Sequence, residues 1–214
     1  MMYNKTQFFI FGSSNAYGVG GEKGWADLLK EDLHHQMYSK NWFGAIFEVY
    51  NFAKPGATSE FVVETYKDQI KYYHKDDRSI VSILSAGLND AKIYVGQDRG
   101  ISTLESFNER MIELIRDLKE ISDKLVVFLY WEHNETCLIP KLQRCGNFIS
   151  FNNARTELFN EELRKICNQL DVQILEVKTP GKDWQNDCLY HDGLHPNQKG
   201  YDLVYKQLKS ILKI

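Results

Sequence analysis

Asp192 and His195 stand three residues apart in the segment YHDGLHPNQKGYDLV (190–204), at the lip of a helix. One reading is a capped turn. The other is chemical: imidazole titrates near neutral pH and serves as a proton acceptor, and its second nitrogen needs a partner that fixes tautomer and orientation. Asp192 reaches it from the same turn. A base of this kind activates a hydroxyl that is otherwise a poor nucleophile. Ser14, in GSSN (12–15) near the other end of the chain, is the candidate hydroxyl. Attack on an acyl carbonyl then places negative charge on oxygen, which fixed donors must meet. The backbone N–H of Ser14 stands where a helix begins and favours negative charge. Gly56 offers an N–H with no side chain in the way, and Asn89 offers its side-chain amide. Each such donor is typically worth ~2.7–4 kcal/mol in the transition state.

These residues meet only if the fold gathers them. Strand-like and helix-like segments alternate along the chain. TQFFIFG (6–12), AIFEVYNFA (45–53), SIVSILSAG (79–87), KLVVFLYW (124–131) and VQILEV (172–177) read as strands by length and apolar content. Between them, 24–38, 58–74, 101–121 and 152–170 carry apolar residues at helical spacing, and 196–212 forms a last helix. The 101–121 stripe is the clearest, through Leu104, Phe107, Met111, Leu114, Ile115, Leu118 and Ile121. Strands apolar on both faces suit a parallel sheet covered by helices, and the βαβα order predicts a doubly wound α/β fold with right-handed crossovers. Five parallel strands in a flavodoxin-like order are expected. In such sheets ligands bind beyond the carboxyl ends of the strands. There stand GSSN (12–15), AKPGAT (53–58), GLND (87–90), WEHNET (131–136) and HDGLHPN (191–197), so Ser14, Gly56, Asn89, Asp192 and His195 are expected on one edge.

Composition narrows the function classes. The 214 residues suit one domain over 1–214. With 26 basic and 29 acidic residues and no long basic run, no nucleic-acid partner is expected. No stretch approaches the ~18 apolar residues of a membrane span, and the apolar start at Phe8–Phe11 is too short for a signal-peptide core. No membrane insertion is expected, and a cytoplasmic location is. Cys137, Cys145, Cys167 and Cys188 show no C-x-x-C pair; reduced thiols are expected. A metal site from Glu132, His133 and His191 finds no support in the spacing. The glycines of GSSNAYGVGGEKG fit neither phosphate-loop nor dinucleotide patterns, and G-x-S-x-G is absent around Ser14.

Four short blocks together resemble the SGNH hydrolases, also called the GDSL esterase/lipase family. Gly12-Ser13-Ser14-Asn15 stands where that family carries Gly-Asp-Ser, and Gly56 at its lone glycine after the second strand. Gly87-Leu88-Asn89-Asp90 resembles its Gly-x-Asn-Asp, and Asp192-Gly193-Leu194-His195-Pro196 its Asp-x-x-His-Pro. The resemblance implies Ser14 as nucleophile and Asp192 and His195 as the rest of a triad. It also implies an oxyanion hole from the Ser14 and Gly56 N–H groups and Asn89, on a three-layer flavodoxin-like fold. Ser13 departs from the pattern by replacing the aspartate, and it adds a second hydroxyl; position after the glycine favours Ser14.

The expected activity is therefore that of a serine esterase acting on a small-molecule acyl ester, short-chain and acetyl-type, through an acyl-enzyme and without a cofactor. An acyltransferase, a thioesterase or lysophospholipase using the same site, and a non-catalytic binding module remain alternatives. Trp131, His133 and Tyr190, with Tyr94, are candidates for lining the substrate pocket, against plain packing. Asp90 reads as a brace for the loop that carries Asn89. The 132–150 segment reads as a flap over the site or as surface decoration. The sequence leaves oligomeric state open.

Overall fold

Strand β1 (Asn4–Gly12) is an inner strand, paired on both sides, and its second half is apolar on both faces. Side chains alternate across a strand, and here both directions are buried. Phe9 and Phe11 join one core, Phe8 and Ile10 the other. The computed structural model describes residues 4–39, 44–179 and 183–214.

β1 pairs in parallel with β2 (Ala45–Asn51) and with β3 (Ser79–Ser85), the latter in a register that sets Gly12 against Ser85. β3 pairs with β5 (Lys124–Phe128), and β5 with β8 (Gln173–Leu175), all parallel. The order is β2-β1-β3-β5-β8, as expected for a flavodoxin-like sheet. On one face pack α3 (Ser59–Tyr73), α4 (Leu104–Ile121) and α5 (Asn153–Gln169); on the other, α2 (Trp25–Ser39) and α6 (Gln198–Leu212). The short helix α1 (Ser14–Tyr17) follows directly on β1.

Sequence spacing explains these helices. On α4, Phe107, Met111, Leu114, Ile115 and Leu118 are fully buried, whereas Ile121, expected on the same stripe, is 40% exposed at the helix end. The helix begins at Leu104 and not 101 because Thr103 caps it, its side chain accepting from Ser106 N–H. Asn152 caps α5 and Asn197 caps α6 in the same way.

A second, separate sheet lies in the 132–150 region. Strand β4 (Ile93–Tyr94) pairs antiparallel with β7 (Phe148–Ser150), and β7 with β6 (Lys141–Leu142). Among the described residues the four cysteines are unpaired, and no helix is long and apolar enough to cross a membrane.

Candidate active site

The carboxyl ends of the parallel strands open onto one cavity of about 440 Å³, lined by residues from five separate segments. Ser14, Gly56, Asn89, Asp192 and His195 all contribute to its wall.

His195 is 6% exposed. The loop that carries it is closed by backbone hydrogen bonds, Tyr190 N–H to His195 O at 2.7 Å and Asn197 N–H to Cys188 O at 2.9 Å. Its Nδ1 is 2.6 Å from Asp192 Oδ2, while Asp192 Oδ1 accepts from Leu194 N–H at 2.9 Å and His195 N–H at 3.0 Å. Burial would raise the Asp192 carboxyl. The bond to His195, the two backbone N–H groups and the neighbouring imidazole charge outweigh burial and hold it well below the usual carboxylate range. Asp192 is thus an ionised acceptor, and its bond settles which histidine it orients: His195, not His191.

His195 Nε2 is buried and has no protein hydrogen-bond partner. It shares the cavity with Ser14 without being bonded to it. Ser13 and Ser14 are distinguished by position: Ser13 is 1% exposed and lies off the cavity, whereas Ser14 is half-buried and lines it. Ser14 is the first residue of α1, and its N–H is one of the donors that a helix start leaves without an intrahelical acceptor.

Gly56 sits on a turn after β2 at φ +83°, a left-handed conformation that favours glycine. Space in front of it is open. Asn89 lies on a 3₁₀ turn, Leu88–Ala91, and donates from Nδ2 to Ala57 O at 2.8 Å. That bond uses one amide hydrogen and leaves the second for the cavity.

Asp90, next to Asn89, is fully buried and turns away from the cavity. Its oxygens accept from Ser59 N–H (2.7 Å), Ser59 Oγ (2.7 Å), Ser102 Oγ (2.8 Å) and Arg110 Nη2 (3.2 Å). It ties the starts of α3 and α4 to the turn that presents Asn89, which is the bracing role expected of it.

The first and last loops are held together directly. Tyr201 Oη donates to Val19 O at 2.6 Å, and Lys23 N–H donates to Gln198 Oε1 at 2.9 Å. At Gly20 the backbones approach so closely that an added Cβ would stand 2.6 Å from Pro196 O and 3.0 Å from His195 Cβ.

The aromatic and histidine candidates for the pocket wall require correction. Trp131, His133, Tyr190 and Tyr94 do not line the cavity. Side-chain alternation continues past β5, so Tyr130 enters one core and Trp131 the other. Trp131 packs edge-on against Trp184 and donates weakly to Leu194 O at 3.4 Å, supporting the His195 loop from behind. His133 is fully buried beside Phe151, with neither ring nitrogen hydrogen-bonded to protein. Burial, then the charge at His195, push its pKa down to about 4 against the pull of Asp192. Tyr190 is 39% exposed and packs at a tilt against His191, which does line the cavity. Tyr94 lies in β4 beneath the Arg99 guanidinium.

Sequence reasoning missed the far wall. Leu138, Ile139, Lys141, Ile149, Ser150 and Phe151 supply it, with Val19, Pro55 and Lys92. The 132–150 segment therefore does face the site. Lys92 caps the carboxyl end of the 3₁₀ turn that carries Asn89, and no sequence signal marked it.

A family model for the GDSL-like lipase/acylhydrolases matches residues 8–208. The chain belongs to this family. It is accordingly an ester-hydrolysing enzyme of the GDSL-like type. No curated protein sequence matches it. Solved structures similar to this GDSL-like chain include the lipase/acylhydrolase from Enterococcus faecalis, at 17% identity and TM-score 0.67 over 99% of this chain and 96% of that one. The psychrotrophic esterase EstA from Pseudoalteromonas sp., in a structure inhibited by monoethylphosphonate, aligns at 14% identity and TM-score 0.66 over 97% and 96%. Axe2, an acetylxylan esterase from Geobacillus stearothermophilus, aligns at 12% identity and TM-score 0.67 over 100% and 97%. At such identities the likeness establishes the fold: a five-stranded parallel sheet flanked by helices, at near-full length in each case.

Proposed function

We propose that this GDSL-like hydrolase is a single-domain serine esterase with Ser14 as nucleophile, His195 as general base and Asp192 as the group that orients it. One observation carries the reading: four sequence-distant segments deliver Ser14, Gly56, Asn89, and Asp192 with His195 to one cavity, with Asp192 already bonded to His195 Nδ1.

The bond from Nδ1 to Asp192 fixes the tautomer with the lone pair on Nε2. That lone pair takes the Ser14 proton as Oγ attacks the ester carbonyl, and the hydrogen bond closes as substrate enters. The tetrahedral oxyanion is met by Ser14 N–H, Gly56 N–H and the second Nδ2 hydrogen of Asn89. Collapse expels the alcohol, which receives the proton from His195, and leaves an acyl-Ser14. Water, deprotonated by His195, then attacks the acyl carbon; the acid departs and Ser14 regains its proton. Asp192 remains ionised throughout and stabilises the imidazolium in between.

Short acyl groups suit the cavity best, because 440 Å³ must hold both halves of the ester. The acetylxylan esterase among the structural neighbours acts on an acetyl ester, in keeping with that choice. The deciding experiment is a p-nitrophenyl ester series from acetate to palmitate with wild type, Ser14→Ala and Ser13→Ala, alongside fluorophosphonate labelling. Labelling at Ser14, loss of turnover in Ser14→Ala and retention in Ser13→Ala are expected. A preference for palmitate would reject the short-chain assignment, and turnover by Ser14→Ala would reject the nucleophile.

A further inference from the structure

Two lysines line the cavity beside Ser14 and His195, and neither has a carboxylate partner among the described residues. Lys92 and Lys141 contribute to its wall, and the one acidic residue there, Asp192, has both oxygens committed to the His195 loop. Elsewhere Lys5, Lys23, Lys67, Lys75, Lys165, Lys199 and Lys209 each form an ion pair, and lysines that form none, such as Lys30, Lys71 and Lys178, stand exposed outside this cavity. Among the described residues the ammonium groups of Lys92 and Lys141 make no ion pair or hydrogen bond, and Lys92 has only the Phe151 ring, with Nζ 5.4 Å from its centroid.

This arrangement is costly for an unliganded protein. Lys92 is half-buried, and a desolvated cation normally has a counter-charge. Burial, reinforced by the Lys141 charge, pushes Lys92 down to about 8, with Asp90 pulling the other way. The segment that carries Lys141 compounds the bias, since it has no Asp or Glu between Glu135 and Glu157. Lys92 N–H also donates to Asn89 O at 3.4 Å, closing the turn that carries a proposed oxyanion donor, and both residues line the cavity.

We propose that Lys92 and Lys141 form an anion subsite, so that the preferred substrates are esters bearing a carboxylate or similar oxyanion group close to the scissile bond. This rests on the serine-esterase reading for turnover, but the binding claim stands apart from it. The substrate anion supplies the missing counter-charge, with Lys92 as the desolvated contact and Lys141 as the exposed one.

Two matched pairs of esters test the proposal and locate the anion. para-Acetoxyphenylacetate against its methyl ester places the charge in the alcohol half; the mono-p-nitrophenyl ester of adipate against p-nitrophenyl hexanoate places it in the acyl half. In at least one pair kcat/KM is expected to favour the anion by about tenfold or more, with the preference shrinking as salt rises. It should collapse in Lys92→Met, which keeps the packing against Phe151, and weaken in Lys141→Met, an exposed position. Equal rates in both pairs, or a preference that survives the double variant, would overturn the subsite. If none of the four esters is turned over, the esterase reading fails, and binding decides the subsite alone. Calorimetry of para-hydroxyphenylacetate and its methyl ester with wild type and Lys92→Met should then show tighter carboxylate binding only in the wild type. Equal binding would refute the proposal.

Discussion

Asp192 Oδ2 stands 2.6 Å from His195 Nδ1, and the other Asp192 oxygen is held by the backbone N–H groups of Leu194 and His195. The carboxylate is anchored by the same turn whose imidazole it orients. Asp192→Asn replaces an ionised acceptor with an amide. It is expected to lower kcat on p-nitrophenyl acetate by roughly 10²–10⁴-fold while circular dichroism stays unchanged. Wild-type kcat in a folded Asp192→Asn protein would remove Asp192 from the mechanism.

Asn89 spends one amide hydrogen on Ala57 O and presents the other to the cavity. Asn89→Ala should lower kcat by about 10²–10³-fold with a smaller change in KM, since the lost donor acts on the transition state. Steady-state kinetics separate this from a binding defect, in which KM would rise at constant kcat.

Asp90 collects bonds from Ser59, Ser102 and Arg110 while fully buried. Asp90→Ala strands the Arg110 guanidinium and the two hydroxyls. A loss of roughly 3–5 kcal/mol is expected, as when one partner of a buried ion pair is removed. Urea unfolding measures it. A cost under about 1 kcal/mol, the worth of an exposed pair, would mean the network is not holding the Asn89 turn.

His133 is buried, and its pKa is pushed down to about 4, so the folded protein keeps it neutral where the unfolded chain, at 6.5, takes up a proton. Between about pH 6.5 and 4 the unfolded state binds more protons, and stability falls as pH falls. The loss from this residue is on the order of 3 kcal/mol by pH 4. Asp192 has the depressed carboxylate pattern: its contribution is present above its unfolded value of 3.8 and is lost only at lower pH. The two windows are therefore distinct. Guanidinium unfolding at pH 7 and pH 4.5 should show the decline in wild type and a flatter profile in His133→Phe; parallel profiles would refute it.

Gly20 lets the first loop press against the last. In Gly20→Val the new side chain meets Pro196 O and His195 Cβ, in a backbone conformation of φ +100° that valine resists. The expected result is a fall in kcat through displacement of His195 relative to Ser14. Fluorophosphonate labelling at the wild-type rate would show that the loops had not separated.

The four longer main strands and both helix layers were legible because their patterns are long, and the three-residue β8 because Val172, Ile174, Leu175 and Val177 mark it. β1 alternates between two cores, and α4 repeats its stripe over several turns. Three of the chemical blocks were legible because each follows such a strand, and the 192–196 block, which stands beyond β8 and the turn at Trp184–Cys188, through its own spacing. The small sheet was not: β6 has two residues and β4 two, and their partner β7 lies far from β4 along the chain. Pairs so short carry no periodicity. Trp131 and His133 were misplaced for a related reason. Position after a strand suggested the rim, but the strand's alternation persisted and sent Trp131 into the core, while Asn153 of α5 clamps the His133 backbone through Oδ1 and Nδ2.

The strands β4, β6 and β7 bond to one another and not to the parallel sheet. The pocket is thus assembled from two sheets: the parallel sheet, whose strand ends present Ser14 and Asn89, and a small antiparallel sheet that presents Lys141, Ile149 and Ser150. The 132–150 segment is tied to the His195 loop through Asn134 N–H and Gly193 O at 2.8 Å, and to α5 through His133 and Asn153, so exchanges confined to the side chains of Ile139, Lys141 and Ile149 leave those bonds in place. Exchanging those side chains is the direct way to give this hydrolase a new appetite at unaltered chemistry.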